Sequence, residues 1–211
     1  MDVNSNGLNF SEWQKNIAQG HAKLVVSNRR GIKISVDLAF NQLRQIIYKL
    51  HSKNGSAYFI GNGASSTIAS HFAADLTNNY AVHATAISDP ALLTAQVNDF
   101  GSETMFSRPL NVFARENDLL IAISSSGSSS NILSGVRCAH EKGMMVVTFS
   151  AMSQKNPLRN FGDLNFYVPV DTYGVAETCH TSLLHYWLDS MNPNFFLCHK
   201  KIVNNSSDCF S

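Results

Sequence analysis

The chain has 211 residues, 44% of them hydrophobic, and a formal net charge of +1 at neutral pH. This length suits one globular domain with a substantial core, and the near-neutral charge excludes the basic surface typical of nucleic-acid or anionic membrane binding. No apolar run approaches the roughly 20 residues of a membrane-spanning helix, and the N-terminus lacks an apolar signal segment. The four cysteines form no CxxC pair, so we expect structural thiols and a cytoplasmic location.

The first part of the chain is predicted to be helical or irregular. Residues 1–32 are polar and weakly patterned, although a helix can begin at Ser11. Residues 33–52 have apolar residues at helical spacing, and Asn54-Gly55 is predicted to end that helix. The main domain is therefore predicted to start at residue 33.

Short apolar runs then alternate with segments of helical period. The predicted strands are 57–60, 82–87, 119–123, 144–149 and 166–170, and the predicted helices are 65–78, 91–115 with an interruption near Gly101, 129–142 and 175–191. The strands are almost continuously apolar, as in parallel sheets buried on both faces. The alternation predicts a doubly wound α/β sheet over 33–192. A polar tail follows over 193–211, where Phe195, Phe196 and Leu197 could dock against the domain.

Two loops stand where a doubly wound sheet binds ligands, beyond the carboxyl ends of its strands. The first is Gly61-Asn62-Gly63-Ala64-Ser65, between a predicted strand and helix. The second, over 124–130, contains Ser124, Ser125, Ser126, Gly127 and Ser129. Small residues allow close backbone approach, and hydroxyls with a helix N-terminus suit a phosphate dianion. One such loop is more often a simple turn or N-cap, but two favour a phosphorylated ligand.

Neither loop has a nucleotide-binding motif. Gly61 and Gly63 lack the third glycine of the dinucleotide fingerprint, and no GxxxxGK[ST] sequence occurs. The loops alone therefore predict an anion at a helix N-terminus, without a nucleotide motif to identify the molecule that carries it.

Two predicted helices contain ionisable residues at helical spacing. His71 and Asp75 are four residues apart, and Glu177 and His185 lie two turns apart on one face of the last helix. Two imidazoles and two carboxylates fit a zinc or other divalent site, or an acid–base pair. The sequence leaves open whether the helices face each other, and a surface pair or a structural hydrogen bond is the alternative. His180 is a reserve candidate.

These segments together resemble the SIS (sugar isomerase) domain family, and within it the phosphoheptose isomerases. The resemblance covers about residues 35–190, and the order and spacing of its segments make it specific. The matching segments are Gly61-Asn62-Gly63-Ala64-Ser65, His71-Phe72-Ala73-Ala74-Asp75-Leu76-Thr77, Ile87-Ser88-Asp89, Asn98-Asp99-Phe100-Gly101, Phe106-Ser107-Arg108, Ile123-Ser124-Ser125-Ser126-Gly127, Glu141-Lys142-Gly143-Met144 and the helix with His180 and His185.

The resemblance implies a five-stranded parallel sheet flanked by helices and a homotetramer with active sites at subunit interfaces. It implies that Ser124, Ser125, Ser126 and Ser129 hold the sugar phosphate. It also implies that Asn62, Gly63, Ala64, Asn98 and Asp99 contact the sugar, with Ser65 and Glu177 beside them. Positions matching His71, Asp75, Glu177 and His185 bind zinc, and those matching Asp75 and His185 are the proposed acid–base pair.

The activity implied is the isomerisation of sedoheptulose 7-phosphate to D-glycero-D-manno-heptose 7-phosphate, an early step toward the heptose of surface polysaccharides. Two positions depart from the family pattern: Asp75 stands where glutamate is usual, and Glu177 where glutamine is usual. Both residues can still bind a metal. The segment 173–177 also differs, which leaves open an isomerase of another sugar phosphate. Because SIS domains also occur in regulators, the resemblance leaves a second alternative, a non-catalytic SIS module that binds a sugar phosphate or a partner protein.

Overall fold

A computed structural model describes residues 9–192 of the chain. The helices are α1 (Phe10–Ala22), α2 (Val36–Ser52), α3 (Ala64–Tyr80), α4 (Pro90–Phe100), α5 (Ser107–Phe113), α6 (Ser130–Glu141) and α7 (Tyr173–Asp189). The strands are β1 (Val25–Asn28), β2 (Lys33–Ile34), β3 (Ser56–Gly61), β4 (His83–Ala86), β5 (Leu119–Ser124), β6 (Met145–Ala151) and β7 (Leu164–Val168). Short 3₁₀ helices span Ser102–Thr104 and Pro157–Asn160.

The seven strands form one sheet in the order β2-β1-β7-β6-β5-β3-β4. The five strands from β7 to β4 are parallel, which confirms the predicted doubly wound core. The structure adds an antiparallel hairpin, β1 and β2, along the free edge of β7. The predicted boundary between residues 32 and 33 therefore falls inside this hairpin, because two such short strands give little periodic signal. The predicted tail over 193–211 lies outside the described residues.

The helices form two layers, one on each face of the sheet. Residues of α2, α3 and α7 pack with one set of alternating strand side chains, including Phe59, Ile121 and Phe149. Residues of α5 and α6 pack with the other set, including Ile60, Leu120 and Ala122. Alternate strand residues thus point to opposite layers, and both faces are covered, as the apolar runs predicted.

Local sequence explains where several helices begin. Asn9 and Glu12 form a reciprocal capping box at α1. Ser35 caps α2 through its hydroxyl, and Asp89 caps α4 immediately before Pro90. Within the described part of the chain, every helix is too short or too polar to cross a bilayer.

The topology brings the two candidate loops to the same edge of the sheet. Strands β3 and β5 are parallel neighbours, with Gly61 opposite Ile123 in register. The loop from β3 to α3 and the loop from β5 to α6 therefore leave the sheet side by side. Because α3 and α6 lie on opposite faces, their N-termini flank the same crevice.

Candidate active site

The first loop, after β3, is shaped by two glycines. Gly63 has a φ of +55°, which favours glycine, and it is the N-cap of α3. A Cβ at Gly61 would lie 2.5 Å from the backbone of Ser65, so only glycine lets the first turn of α3 fold back onto β3. Ser65 itself is buried, whereas Asn62 and Ala64 are exposed beside the crevice.

The serine loop, residues 124–130, is compact and largely enclosed. Ser124 and Ser125 are 6% and 4% exposed, and the Ser124 hydroxyl accepts the Gly127 N–H at 3.2 Å. The buried Ser125 Oγ has no hydrogen-bond partner among the described residues. Buried hydroxyls without a partner are uncommon in proteins, so Ser125 is a candidate ligand-binding group.

The N-terminus of α6 adds free donors to this loop. Ser129 is the N-cap of α6, but its side chain makes no capping hydrogen bond. Within residues 9–192, the N–H groups of Ser129, Ser130 and Asn131 have no acceptor. Three free N–H groups at the positive end of a helix are suited to binding an anion. The partly buried Ser126 accepts the Ser128 N–H at 3.4 Å.

Asn156 lies in the segment that follows β6 and packs against the serine loop. Asn156 is 3% exposed, and its amide nitrogen donates to the carbonyl oxygens of Ala151 and Ser153. Gly127 has a φ of +61° and lies so close to Asn156 that any Cβ there would overlap its side chain. Leu158 N–H also donates to the Gly127 carbonyl at 3.0 Å. The loop is therefore held in place without a ligand.

A cluster of potential metal ligands lies where α3 and α7 meet. One ligand atom each of His71, Asp75 and His185 lies within 4.8 Å of the others. His71 Nε2 is 3.4 Å from Asp75 Oδ2, as their four-residue spacing predicts. The two imidazole centroids are 5.4 Å apart. In the structure α3 and α7 face each other, which the sequence had left open.

Phe72 fixes the relative position of the two imidazoles. Its ring is fully buried and meets His71 edge-on at 5.0 Å and His185 edge-on at 4.8 Å between centroids. The imidazoles themselves are exposed, and the side chain of Asp75 is 27% exposed. A rigid apolar base below a water-accessible set of donors is a suitable support for a metal site.

Glu177 and His180 lie apart from this cluster. Glu177 is partly buried one turn into α7, and its carboxylate is outside the group formed by His71, Asp75 and His185. His180 is fully buried and meets Phe149 edge-on at 6.2 Å. Burial lowers the pKa of His180 to about 4, with the Ser150 backbone acting in the opposite direction. His180 is thus a neutral core residue of α7.

Asn98 and Asp99 lie near the end of α4, in the layer opposite α3 and α7. Both are exposed, and the Asn98 amide donates to the Asp99 carboxylate at 2.8 Å. Gly101 ends α4 with a φ of +83°. Their predicted contact with a sugar stays a prediction.

Three residues of the site escaped sequence reasoning: Phe72, Asn131 and Asn156. Asn131 follows the serine loop directly, so its place in the first turn of α6 was a usable signal. No sequence signal marked Asn156, because it contacts Gly127 from the segment after β6, which is distant from the serine loop along the chain. Phe72 resembles any core phenylalanine in a helix until α7 is placed against it.

The two groups of residues offer different chemistry. The serine loop offers hydroxyls and free N–H groups to a dianion, while the histidine and aspartate cluster offers a divalent-metal site or proton transfer. A doubly wound sheet with these two groups of residues defines a class of α/β domains that have a candidate anion site and a candidate metal site.

Comparison with known proteins identifies the class and then the group within it. The SIS domain family matches residues 22–151. The chain is 36% identical over 145 residues to the phosphoheptose isomerase of Edwardsiella ictaluri, covering 66% of this chain and 74% of that protein. It is 28% identical over 182 residues to that of Helicobacter pylori, covering 82% and 94%.

A solved structure agrees with these sequence relationships. The phosphoheptose isomerase from Francisella tularensis aligns with a TM-score of 0.72 at 26% identity, over 85% of this chain and 92% of that one. The chain therefore belongs to the SIS domain family, and within it to the phosphoheptose isomerase family.

Proposed function

We propose that this protein is a phosphoheptose isomerase that converts sedoheptulose 7-phosphate to D-glycero-D-manno-heptose 7-phosphate. The observation that supports this most directly is the cluster of His71, Asp75 and His185 in a chain of this family. A domain that only binds a sugar phosphate has no need for two imidazoles and a carboxylate held together by a buried aromatic ring.

The serine loop anchors the phosphate. Ser124, Ser125, Ser126 and Ser129 surround the N-terminus of α6, whose free N–H groups provide the remaining donors. The unpaired Ser125 hydroxyl gains a partner when the dianion binds. Asn62, Gly63 and Ala64 of the neighbouring loop contact the sugar, together with Ser65, Asn98, Asp99 and Glu177.

The isomerisation moves hydrogen between neighbouring carbons of the sugar. A base removes a proton from C1, an enediol forms, and the proton returns at C2, while a second proton passes from the O1 hydroxyl to O2. Asp75 and His185 are the acid–base pair for these transfers. Their ligand atoms lie within 4.8 Å of one another, so both can reach adjacent atoms of one substrate.

The same residues fit a divalent metal. Three donors of the types that zinc prefers lie within 4.8 Å of one another and face solvent, which leaves a position for substrate. His71, Asp75 and His185 would hold the ion, with Glu177 as a fourth ligand if its side chain rotates toward them. Bound zinc would polarise the sugar oxygens.

The assembly expected for this enzyme is a homotetramer in the cytoplasm, with active sites at subunit interfaces. The exposure of His71 supports this arrangement, since its side chain is 52% exposed in one chain. A second subunit that covers the cluster would expel water and strengthen its electrostatic interactions with the substrate.

The function is tested by a panel assay with metal analysis. Purified protein with zinc is expected to convert the heptose phosphate in preference to pentose and hexose phosphates, and Asp75→Asn and His185→Ala are expected to abolish turnover. The matched controls are Asp37→Asn on α2 and His83→Ala at the amino end of β4, both exposed and away from the cluster. Turnover that survives both active-site changes overturns the assigned roles.

The two alternatives give different results in the same assay. An isomerase of another sugar phosphate would prefer a pentose or hexose substrate while keeping its dependence on Asp75 and His185. A non-catalytic binding module would bind a sugar phosphate, retain no metal and turn over none of the panel.

A further inference from the structure

Asn62 and Asn131 form a reciprocal amide pair across the crevice. Each side-chain nitrogen donates to the other residue's side-chain oxygen at 3.0 Å. Asn62 belongs to the loop after β3, and Asn131 to the first turn of α6. The pair therefore ties the predicted sugar-contacting loop to the predicted phosphate-binding loop.

The backbone of α6 sets the direction of this pair. Asn131 Oδ1 also accepts the N–H of Ile132 at 2.9 Å. If the Asn131 amide were turned over, its NH₂ group would face that N–H, and two donors would oppose each other. The Ile132 N–H thus fixes the orientation of Asn131, and reciprocity then fixes that of Asn62.

We propose that Asn131 is a positioning residue that orients the Asn62 carboxamide for the sugar. A carboxamide has two N–H donors and two acceptor lone pairs. The pair uses one of each on Asn62, which leaves one N–H and one lone pair in fixed positions beside the crevice. Asn131 acts through Asn62 and touches no reacting atom. This inference rests on the proposed function, because it assumes that Asn62 contacts the sugar.

Without Asn131, Asn62 would be an exposed side chain on a glycine loop. Asn62 is exposed, and Gly63 next to it has open space around its α-carbon. Its amide would then sample both orientations, and the bound sugar would have to select one of them. Loss of Asn131 would therefore lower the affinity for the sugar, whereas the phosphate donors of the serine loop would be unaffected.

The test is a double-mutant cycle of Asn62→Ala, Asn131→Ala and the double variant. Asn131→Ala is expected to raise the KM for the sugar phosphate by about fivefold or more, with kcat lowered by less than that. Inhibition by inorganic phosphate is expected to stay within about twofold, because phosphate does not touch Asn62. The double variant is expected to match Asn62→Ala alone. Asn111→Ala, an exposed asparagine on α5, is the matched control.

The same cycle is repeated as calorimetric binding of sedoheptulose 7-phosphate in an Asp75→Asn background, where no turnover interferes. If the wild-type protein converts no sugar phosphate, the proposed function fails, and the binding cycle still decides the role of Asn131. Effects of Asn62→Ala and Asn131→Ala that multiply in the double variant overturn the inference. An Asn131→Ala change that lowers only the Tm, or equal weakening of sugar phosphate and inorganic phosphate, overturns it as well.

Discussion

The imidazole of His185 meets that of His71 edge-on, with ring centroids 5.4 Å apart, and both rings contact the buried ring of Phe72. Helices α3 and α7 lie far apart in sequence, and the packing of both against one face of the sheet makes this contact. Both imidazoles therefore rest on a ring that belongs to the close-packed core.

Phe72→Leu is expected to weaken metal binding with little loss of stability. The change keeps an apolar residue in the core, so the free energy of unfolding falls by about 1 kcal/mol. Loss of the aromatic base loosens both imidazoles, and zinc affinity is expected to fall about tenfold or more. Competition with a chromogenic chelator measures this. Phe106→Leu, at a fully buried phenylalanine of the other layer, is expected to alter stability alone.

Glu177 is expected to contribute less to metal binding than His71. Its carboxylate lies outside the cluster, so Glu177→Ala should lower zinc affinity less than tenfold, whereas His71→Ala should lower it about a hundredfold or more. Metal titration of the two purified variants makes the comparison. Equal losses would show that Glu177 moves into the cluster when the ion binds.

Ser125→Ala is expected to separate stability from function. The Ser125 hydroxyl is buried without a partner, so its removal should leave the free energy of unfolding unchanged or raise it by up to about 1 kcal/mol. Affinity for inorganic phosphate is expected to fall about tenfold, because one donor is lost. Chemical denaturation and phosphate inhibition measure the two effects.

The contrast for Ser125 is Thr148, a fully buried hydroxyl that donates to Asn165 at 2.8 Å. Thr148→Val should destabilise the fold while phosphate inhibition stays unchanged. Reduced stability in Ser125→Ala with normal phosphate affinity would contradict a role for that hydroxyl in ligand binding.

Gly127→Ala is expected to displace the serine loop. The φ of +61° disfavours alanine, and the added Cβ would overlap Asn156. The free energy of unfolding should therefore fall by more than about 1 kcal/mol. The phosphate donors would move with the loop, and phosphate affinity should fall. Gly31→Ala is the control, since Gly31 has a φ of +73° and open space around it. Equal behaviour of the two variants would refute the contact with Asn156.

His180 is expected to make stability depend on pH in the mildly acidic range. Burial holds the pKa of His180 at about 4 in the folded protein, below the 6.5 of a free histidine, so the unfolded chain binds the extra proton first. Stability is therefore expected to be full above pH 6.5 and to fall between pH 6.5 and 4, by roughly 3 kcal/mol in total.

The His180 contribution is isolated by comparison with His180→Gln. Denaturant unfolding at pH 7 and pH 5 should show a larger loss for the wild-type protein than for the variant, since the carboxylates titrate equally in both. An identical pH dependence in the two proteins would mean that folding does not lower the pKa of His180.

The sequence was a good guide to the parallel core and to the loops, for identifiable reasons. Buried strands such as Leu119–Ser124 are continuously apolar, and the serine and glycine loops are compositionally unusual. The spacing of His71 and Asp75 placed them on one helical face. The meeting of α3 with α7, the Asn62–Asn131 pair and the support from Asn156 all depend on contacts between distant segments. Local periodicity contains no information about such contacts.

The hairpin of β1 and β2 has a consequence for synthesis of the chain. Val25 pairs with Tyr167 and Asn28 with Leu164, so the strand that covers β7 is made long before β7 itself. On the ribosome, β1 can pair with β2 at once, but its other side stays unpaired while most of the domain emerges, and the sheet edge at β7 is closed only after β7 has been made. Once closed, the outer edge is the two-residue β2, which contains Lys33. Because this edge strand is short and contains a charged residue, it pairs poorly with strands of other chains, which lowers the tendency to aggregate along this edge.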